Sequence, residues 1–159
     1  MSEIVAYHEA GHVFVAYYVG ARVRSVTIEP DRDDGPNRYG DTQVLWQRSR
    51  YSPRELAEKE IQVALGGPVA EMIHSGDPFH PAFVAEWSAD WQAAWESASR
   101  LLPDEAKRMK YLEQVSIQLH RLLSRDDHWA ALAAVVDNLL AHDRLEEEEI
   151  SEIIQAWMR

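Results

Sequence analysis

The sequence has 159 residues, 46% of them hydrophobic and 27% charged, which are ordinary values for a folded domain and exclude disorder and fibrous repeats. The sequence contains 27 acidic residues and 16 Lys and Arg residues. The resulting net charge of -11 argues against nucleic acid as a partner, because phosphate binding needs cationic charge. The absence of cysteine excludes disulfides, cysteine-ligated metals and thiolate nucleophiles. We expect one compact domain over residues 1–159.

The apolar runs are all shorter than the roughly 20 residues that cross a bilayer. The N-terminus lacks the basic and apolar regions of a signal peptide. A chain without cysteine also suits a reducing compartment. We therefore expect no membrane span and a cytoplasmic location.

The N-terminal third is predicted to contain one helix and a small β structure. Apolar residues recur at helical spacing over residues 4–19, and Gly20 follows where a left-handed cap is expected. An alternating stretch rich in β-branched residues then predicts a strand over 22–29. After a polar loop at 31–38, residues 39–46 form a second β-like run, which predicts a hairpin or edge sheet.

The next predicted helix begins with the start signal of Ser52, Pro53 and Glu55, which offers an N-cap, a first-turn proline and a capping box. It is expected to end at Gly76 and to contain a break or a close packing point at residues 66–68, where two glycines precede a proline.

The remainder is predicted to be helical. Trp87, Trp91 and Trp95 recur every four residues in a helix over 83–100, where core packing is the simplest interpretation. Further helices are predicted at residues 104–124, 127–142 and 146–158. The fold class is therefore mainly α, with a small β-hairpin or edge sheet after the first helix.

The first helix contains the HExxH motif His8-Glu9-Ala10-Gly11-His12. Because residues four apart share a helix face, His8 and His12 can present two imidazoles to one Zn²⁺ ion. Glu9 would lie beside the metal, where it can deprotonate a water as the general base. Two imidazoles favour zinc over magnesium.

A catalytic zinc ion also needs a third protein ligand and an open position. Spacing alone does not rank the candidates, which are Asp90, Glu86, Glu71, His74 and His80.

Other titratable groups have simpler interpretations. The four acidic residues at 146–149 favour the positive end of a helix dipole, so we infer no cation site there. His120, His128 and His142 lack partner spacing and are predicted to be surface or cap residues.

The motif helix, residues 6–16, resembles the active-site helix of the peptidase domain of FtsH-type zinc proteases, a family that joins an AAA+ ATPase to a metallopeptidase. Further landmarks are similar to the family in the same order. They are Val26-Thr27-Ile28-Glu29-Pro30, Tyr39-Gly40-Asp41-Thr42, and Leu65-Gly66-Gly67-Pro68-Val69-Ala70-Glu71, in which Pro68 replaces the usual arginine.

The resemblance implies that Asp90 is the third zinc ligand, because the segment Ser88-Ala89-Asp90-Trp91 is similar to the family's Ser-Asn-Asp-Leu ligand segment. The departures are Ala89 and Trp91. The resemblance also implies an edge strand near the zinc that pairs with an extended substrate backbone. Its residues are Gly40, Asp41, Thr42, Gln43 and Val44.

In function, the resemblance implies a zinc-dependent endopeptidase that cleaves unfolded proteins or peptides. The sequence contains no phosphate-binding loop, so we expect a stand-alone peptidase whose substrates arrive unfolded or through a separate ATPase. The peptidase domains of the family pack as six-fold rings, so a homo-oligomer is compatible with this sequence but is not required. The alternatives are a catalytically silent binding or scaffold protein that keeps the peptidase fold, and a hydrolase of a non-peptide amide.

Overall fold

The structure is a computed structural model that describes residues 2–29, 41–76, 84 and 87–158. Within these ranges it contains six helices, three short strands and one 3-10 turn, which confirms the mainly α prediction. In chain order the elements are α1 (Ser2–Tyr18), β1 (Arg22–Thr27), β2 (Asp41–Leu45), the 3-10 turn (Arg48–Arg50), α2 (Pro53–Ser75), α3 (Ser88–Ser99), α4 (Glu105–Leu123), α5 (Asp126–His142), β3 (Arg144–Glu146) and α6 (Glu147–Trp157).

The strands form an antiparallel sheet in the order β2-β1-β3. Strands β1 and β2 pair with Val26 opposite Thr42, which confirms the small β structure after the first helix. Strand β3 was not predicted, and it pairs with β1 through Leu145 opposite Val26. Three residues are too few to show a period of two in the sequence, and the segment becomes a strand only through its pairing with β1.

Helix α2 begins at the predicted capping box, in which Ser52 and Glu55 bond each other's backbone, and ends at Gly76 in the left-handed conformation. The helix continues through residues 66–68, so the glycines mark close packing and not a break. A Cβ atom on Gly11 of α1 would lie 2.7 Å from the Ala70 Cβ atom. Only glycine therefore allows α1 and α2 to pack this closely.

The core lies between α1, α2 and the later helices. Trp87 and Trp91 are buried as predicted, whereas Trp95 is half-buried against the Arg108 guanidinium. The prediction for His128 was wrong: its ring is buried against the rings of Phe14 and Tyr18, and its Nδ1 atom lies 2.8 Å from the Leu122 carbonyl oxygen. Among the described helices, none has the length and apolar character needed to cross a membrane.

Candidate metal centre

Helices α1 and α3 bring two imidazoles and one carboxylate together. His8 and His12 lie one turn apart on α1, and Asp90 lies in the first turn of α3. The Asp90 carboxylate oxygens lie 2.7 Å from His8 Nε2 and 3.4 Å from His12 Nε2. The two Nε2 atoms are 3.1 Å apart, and one ligand atom from each residue lies within 4.8 Å of the others. The structure thus brings the three residues together as one cluster.

Hydrogen bonds at the far side of each ring orient the imidazoles. His12 Nδ1 lies 2.7 Å from the Val63 carbonyl oxygen, and His8 Nδ1 lies 2.6 Å from Glu71 Oε2. Because a carbonyl or carboxylate oxygen only accepts, both Nδ1 atoms donate. In a neutral ring, donation from Nδ1 leaves the lone pair on Nε2, which is the form of histidine that ligates a metal.

The protonation equilibria of the three side chains depend strongly on one another. Burial would lower the pKa of His8, but hydrogen bonds with Asp90 and Glu71 outweigh it and raise the pKa to about 10. Burial likewise opposes the raised pKa of His12, which the Asp90 charge produces. The two imidazoles hold the pKa of Asp90 well below its usual range in spite of burial. The electrostatics therefore favour positive charge between the three side chains.

The donor set and its surroundings fit a zinc ion. Two imidazole nitrogens and one carboxylate oxygen are typical protein ligands of catalytic zinc. A Cβ atom on Gly67 of α2 would lie 2.8 Å from His8 Nε2 and would also collide with His12 Nε2, so only glycine is compatible with this wall of the site. The side chains of His8 and Asp90 are 15% and 24% exposed, which leaves an approach from solvent.

Glu9 lies beside the cluster in a buried position. Its Oε1 atom accepts a 2.7 Å hydrogen bond from the Thr42 hydroxyl of β2. Thr42 was predicted as a substrate-binding residue, and the sequence contained no signal for this contact. The bond fixes the Glu9 carboxylate between the motif helix and the edge strand.

The other predicted candidates fall into three groups. Glu71 bonds the far nitrogen of His8, and His74 stacks on Tyr7 at 3.9 Å, so neither is part of the ligand cluster. Asp41, Gln43 and Val44 lie in β2, as predicted for the substrate strand. The remaining three, Gly40, His80 and Glu86, lie outside the described residues.

Fold and site together define a mainly α-helical protein with a candidate His-His-Asp metal centre and a buried glutamate beside it. Comparison with known proteins also indicates a metal-dependent class of protein. Three proteins named ATP-dependent zinc metalloprotease FtsH match the chain. The one from Acidimicrobium ferrooxidans is 41% identical over 78 residues, which are 47% of this chain and 11% of that protein.

The other two matches are of the same extent. The protein from Syntrophobacter fumaroxidans is 44% identical over 79 residues, which are 47% of this chain and 12% of that protein. The protein from Pelobacter propionicus is 39% identical over 77 residues, which are 46% of this chain and 12% of that protein. The chain matches no protein-family model.

The three matches confirm the resemblance of this chain to FtsH-type zinc metalloproteases. The matched stretch covers just under half of the chain and little more than a tenth of each relative. The three relatives are named zinc metalloproteases, and the ligand types of the candidate centre are compatible with zinc.

Proposed function

We propose that this chain is a zinc-dependent peptidase that hydrolyses peptide bonds in unfolded proteins or peptides. The observation that carries the proposal is the convergence of His8, His12 and Asp90 beside the buried Glu9. The two histidines and the aspartate would hold the metal. When bound, zinc would polarise the scissile carbonyl and lower the pKa of the attacking water.

Glu9 acts as the general base in this proposal. Its Oε1 atom is occupied by the Thr42 hydroxyl, so Oε2 is the oxygen that takes the proton of the attacking water. The protonated carboxyl then returns the proton to the leaving amine.

Strand β2 supplies the proposed substrate edge. It pairs with β1 on one side, and no described strand pairs with its other side. An extended peptide added to that edge would run past Thr42, which touches Glu9, and its scissile bond would then meet the metal centre. We assign substrate binding to residues 40–44 on this ground.

The proposed substrates are chains that are already unfolded or that a separate ATPase delivers, because an edge strand pairs only with an extended backbone. We also propose a cytoplasmic location. A homo-oligomer is compatible with this proposal. A scaffold protein without turnover is the competing outcome of the experiment below.

The experiment follows release of new amino termini from reduced casein by the zinc-loaded chain, with Glu9→Gln as the matched control. We expect cleavage by the wild type and a loss of at least about 100-fold in the variant, because the general base is removed. Both proteins must carry equal zinc. One zinc ion per chain without cleavage would overturn the peptidase proposal and favour a scaffold, whereas absence of zinc binding would overturn the site itself.

A further inference from the structure

We propose that Trp87 is a positioning residue of the metal centre, which acts on His8 through the Glu71 carboxylate. The inference rests on the proposed zinc site. The sequence pattern predicted only core packing for Trp87. The inference adds a role for its indole N–H group as a hydrogen-bond donor.

One oxygen of the Glu71 carboxylate accepts hydrogen bonds from a residue of α1 and from the residue that precedes α3. Glu71 Oε2 lies 2.6 Å from His8 Nδ1 and 2.5 Å from the indole nitrogen of Trp87. An indole N–H only donates, so the direction of the second bond is unambiguous. Glu71, on α2, thereby joins the HExxH helix to the residue that precedes α3.

Burial makes the Trp87 bond obligatory. The Trp87 side chain is buried, and a buried indole N–H without an acceptor would destabilise the fold. The Glu71 carboxylate is therefore restrained at the oxygen that also accepts from His8. This restraint holds His8 in the tautomer and ring orientation that present Nε2 to the metal.

The same bond also restrains the third ligand. Trp87 stands at the N-cap position of α3, and Asp90 follows three residues later in the first turn of that helix. A hydrogen bond that anchors Trp87 thus anchors the end of α3 that carries Asp90. Through Glu71, one indole N–H positions both His8 and Asp90.

The first test measures zinc affinity by competition with a chromophoric chelator. Trp87→Phe keeps an aromatic ring and removes the N–H donor, and we expect zinc binding to weaken by about 10-fold or more. The matched control is Trp95→Phe, on the same helix but packed on Arg108, for which we expect less than about a twofold change. Equal affinities of Trp87→Phe and the wild type would overturn the inference.

A double-mutant cycle separates positioning from packing. In a Glu71→Ala background the indole N–H has lost its acceptor, so Trp87→Phe should have no further effect on zinc affinity. If the loss of affinity is the same in both backgrounds, Trp87 acts only by packing and the inference is wrong.

The third measurement uses the unmodified chain and does not depend on how well a variant folds. In a proton–nitrogen NMR spectrum, the Trp87 indole signal should exchange slowly with solvent and shift on addition of zinc. The signal of Trp157, which is 53% exposed, serves as the internal control. A Trp87 signal that exchanges as fast as that of Trp157, or does not move while zinc binds, would overturn the inference and leave the proposed zinc site standing. Failure of the wild type to bind zinc would overturn both.

Discussion

The Thr42 hydroxyl of the edge strand donates to Glu9 Oε1 across 2.7 Å and so connects the proposed substrate strand to the proposed general base. The same threonine lies opposite Val26 of the central strand β1. The carboxylate is therefore held by the sheet as well as by its own helix. Binding of a peptide to β2 would act directly on the element that orients Glu9.

Replacement of Thr42 by valine should lower peptide cleavage by about 10-fold, because the shape is kept while the bond to Glu9 is lost. Zinc affinity should stay within about twofold of the wild type, since Thr42 does not touch the metal ligands. The measurement compares initial rates and zinc affinity of wild type, Thr42→Val and Thr42→Ser. The serine variant keeps a hydroxyl and should retain most of the activity. Equal rates for valine and wild type would contradict this role of Thr42.

The local sequence pattern was sufficient to predict the two histidines of the site. The spacing of His8 and His12 depends only on the geometry of one helix, so their convergence could be read from the motif. Asp90 could not be ranked in this way, because its position relative to α1 depends on how α3 packs against α2. Only the resemblance to a family selected it. Its role as a ligand stays a prediction that metal binding must test.

The contacts that support the ligands were beyond sequence reasoning for the same reason. Glu71 was a candidate ligand, whereas in the fold it faces the far nitrogen of His8. Trp87 was assigned to the core on its spacing, and burial is confirmed, but spacing contains no information about the partner of its N–H group. A contact between residues 16 positions apart on different elements is a property of tertiary packing.

Replacement of Gly67 by alanine should weaken zinc binding. The added methyl group would lie 2.8 Å from His8 Nε2 and would also collide with His12 Nε2, so either the imidazoles or helix α2 must move. Overpacking of this kind costs about 1–3 kcal/mol, and we expect zinc affinity to fall by about 10- to 100-fold. Isothermal titration with zinc provides the measurement. Pro68→Ala, at the next position of α2, is the control and should keep zinc affinity, and a Gly67→Ala variant that binds zinc normally would refute the prediction.

Removal of zinc should lower the thermal stability of the chain. A ligand that binds only the folded state stabilises it by RT ln(1 + [L]/Kd), which is about 2.7 kcal/mol at a hundredfold excess over Kd. Thermal unfolding with zinc and with a chelator measures the difference. Asp90→Ala removes one proposed ligand, so zinc should raise its melting temperature far less. If zinc stabilises Asp90→Ala and the wild type equally, the ion binds elsewhere.

Without metal, the stability of the chain should fall as the pH rises above 6.5. In the folded state the hydrogen bonds that His8 donates to Asp90 and Glu71 overcome burial and raise the pKa of His8 to about 10, whereas the ordinary value is 6.5. The folded chain therefore binds this proton more tightly than the unfolded chain, and the resulting stabilisation is complete below pH 6.5 and is lost as the pH approaches 10.

Asp90→Asn is the matched variant for this pH dependence, because it keeps the shape of the side chain and removes the charge that attracts the proton. Chemical denaturation of both metal-free proteins across this range gives the free energy of unfolding at each pH. We expect the wild-type curve to fall more steeply than the variant curve. Parallel curves would show that Asp90 and His8 are not electrostatically linked in the folded chain, and the proposed ligand cluster would then lose its central contact.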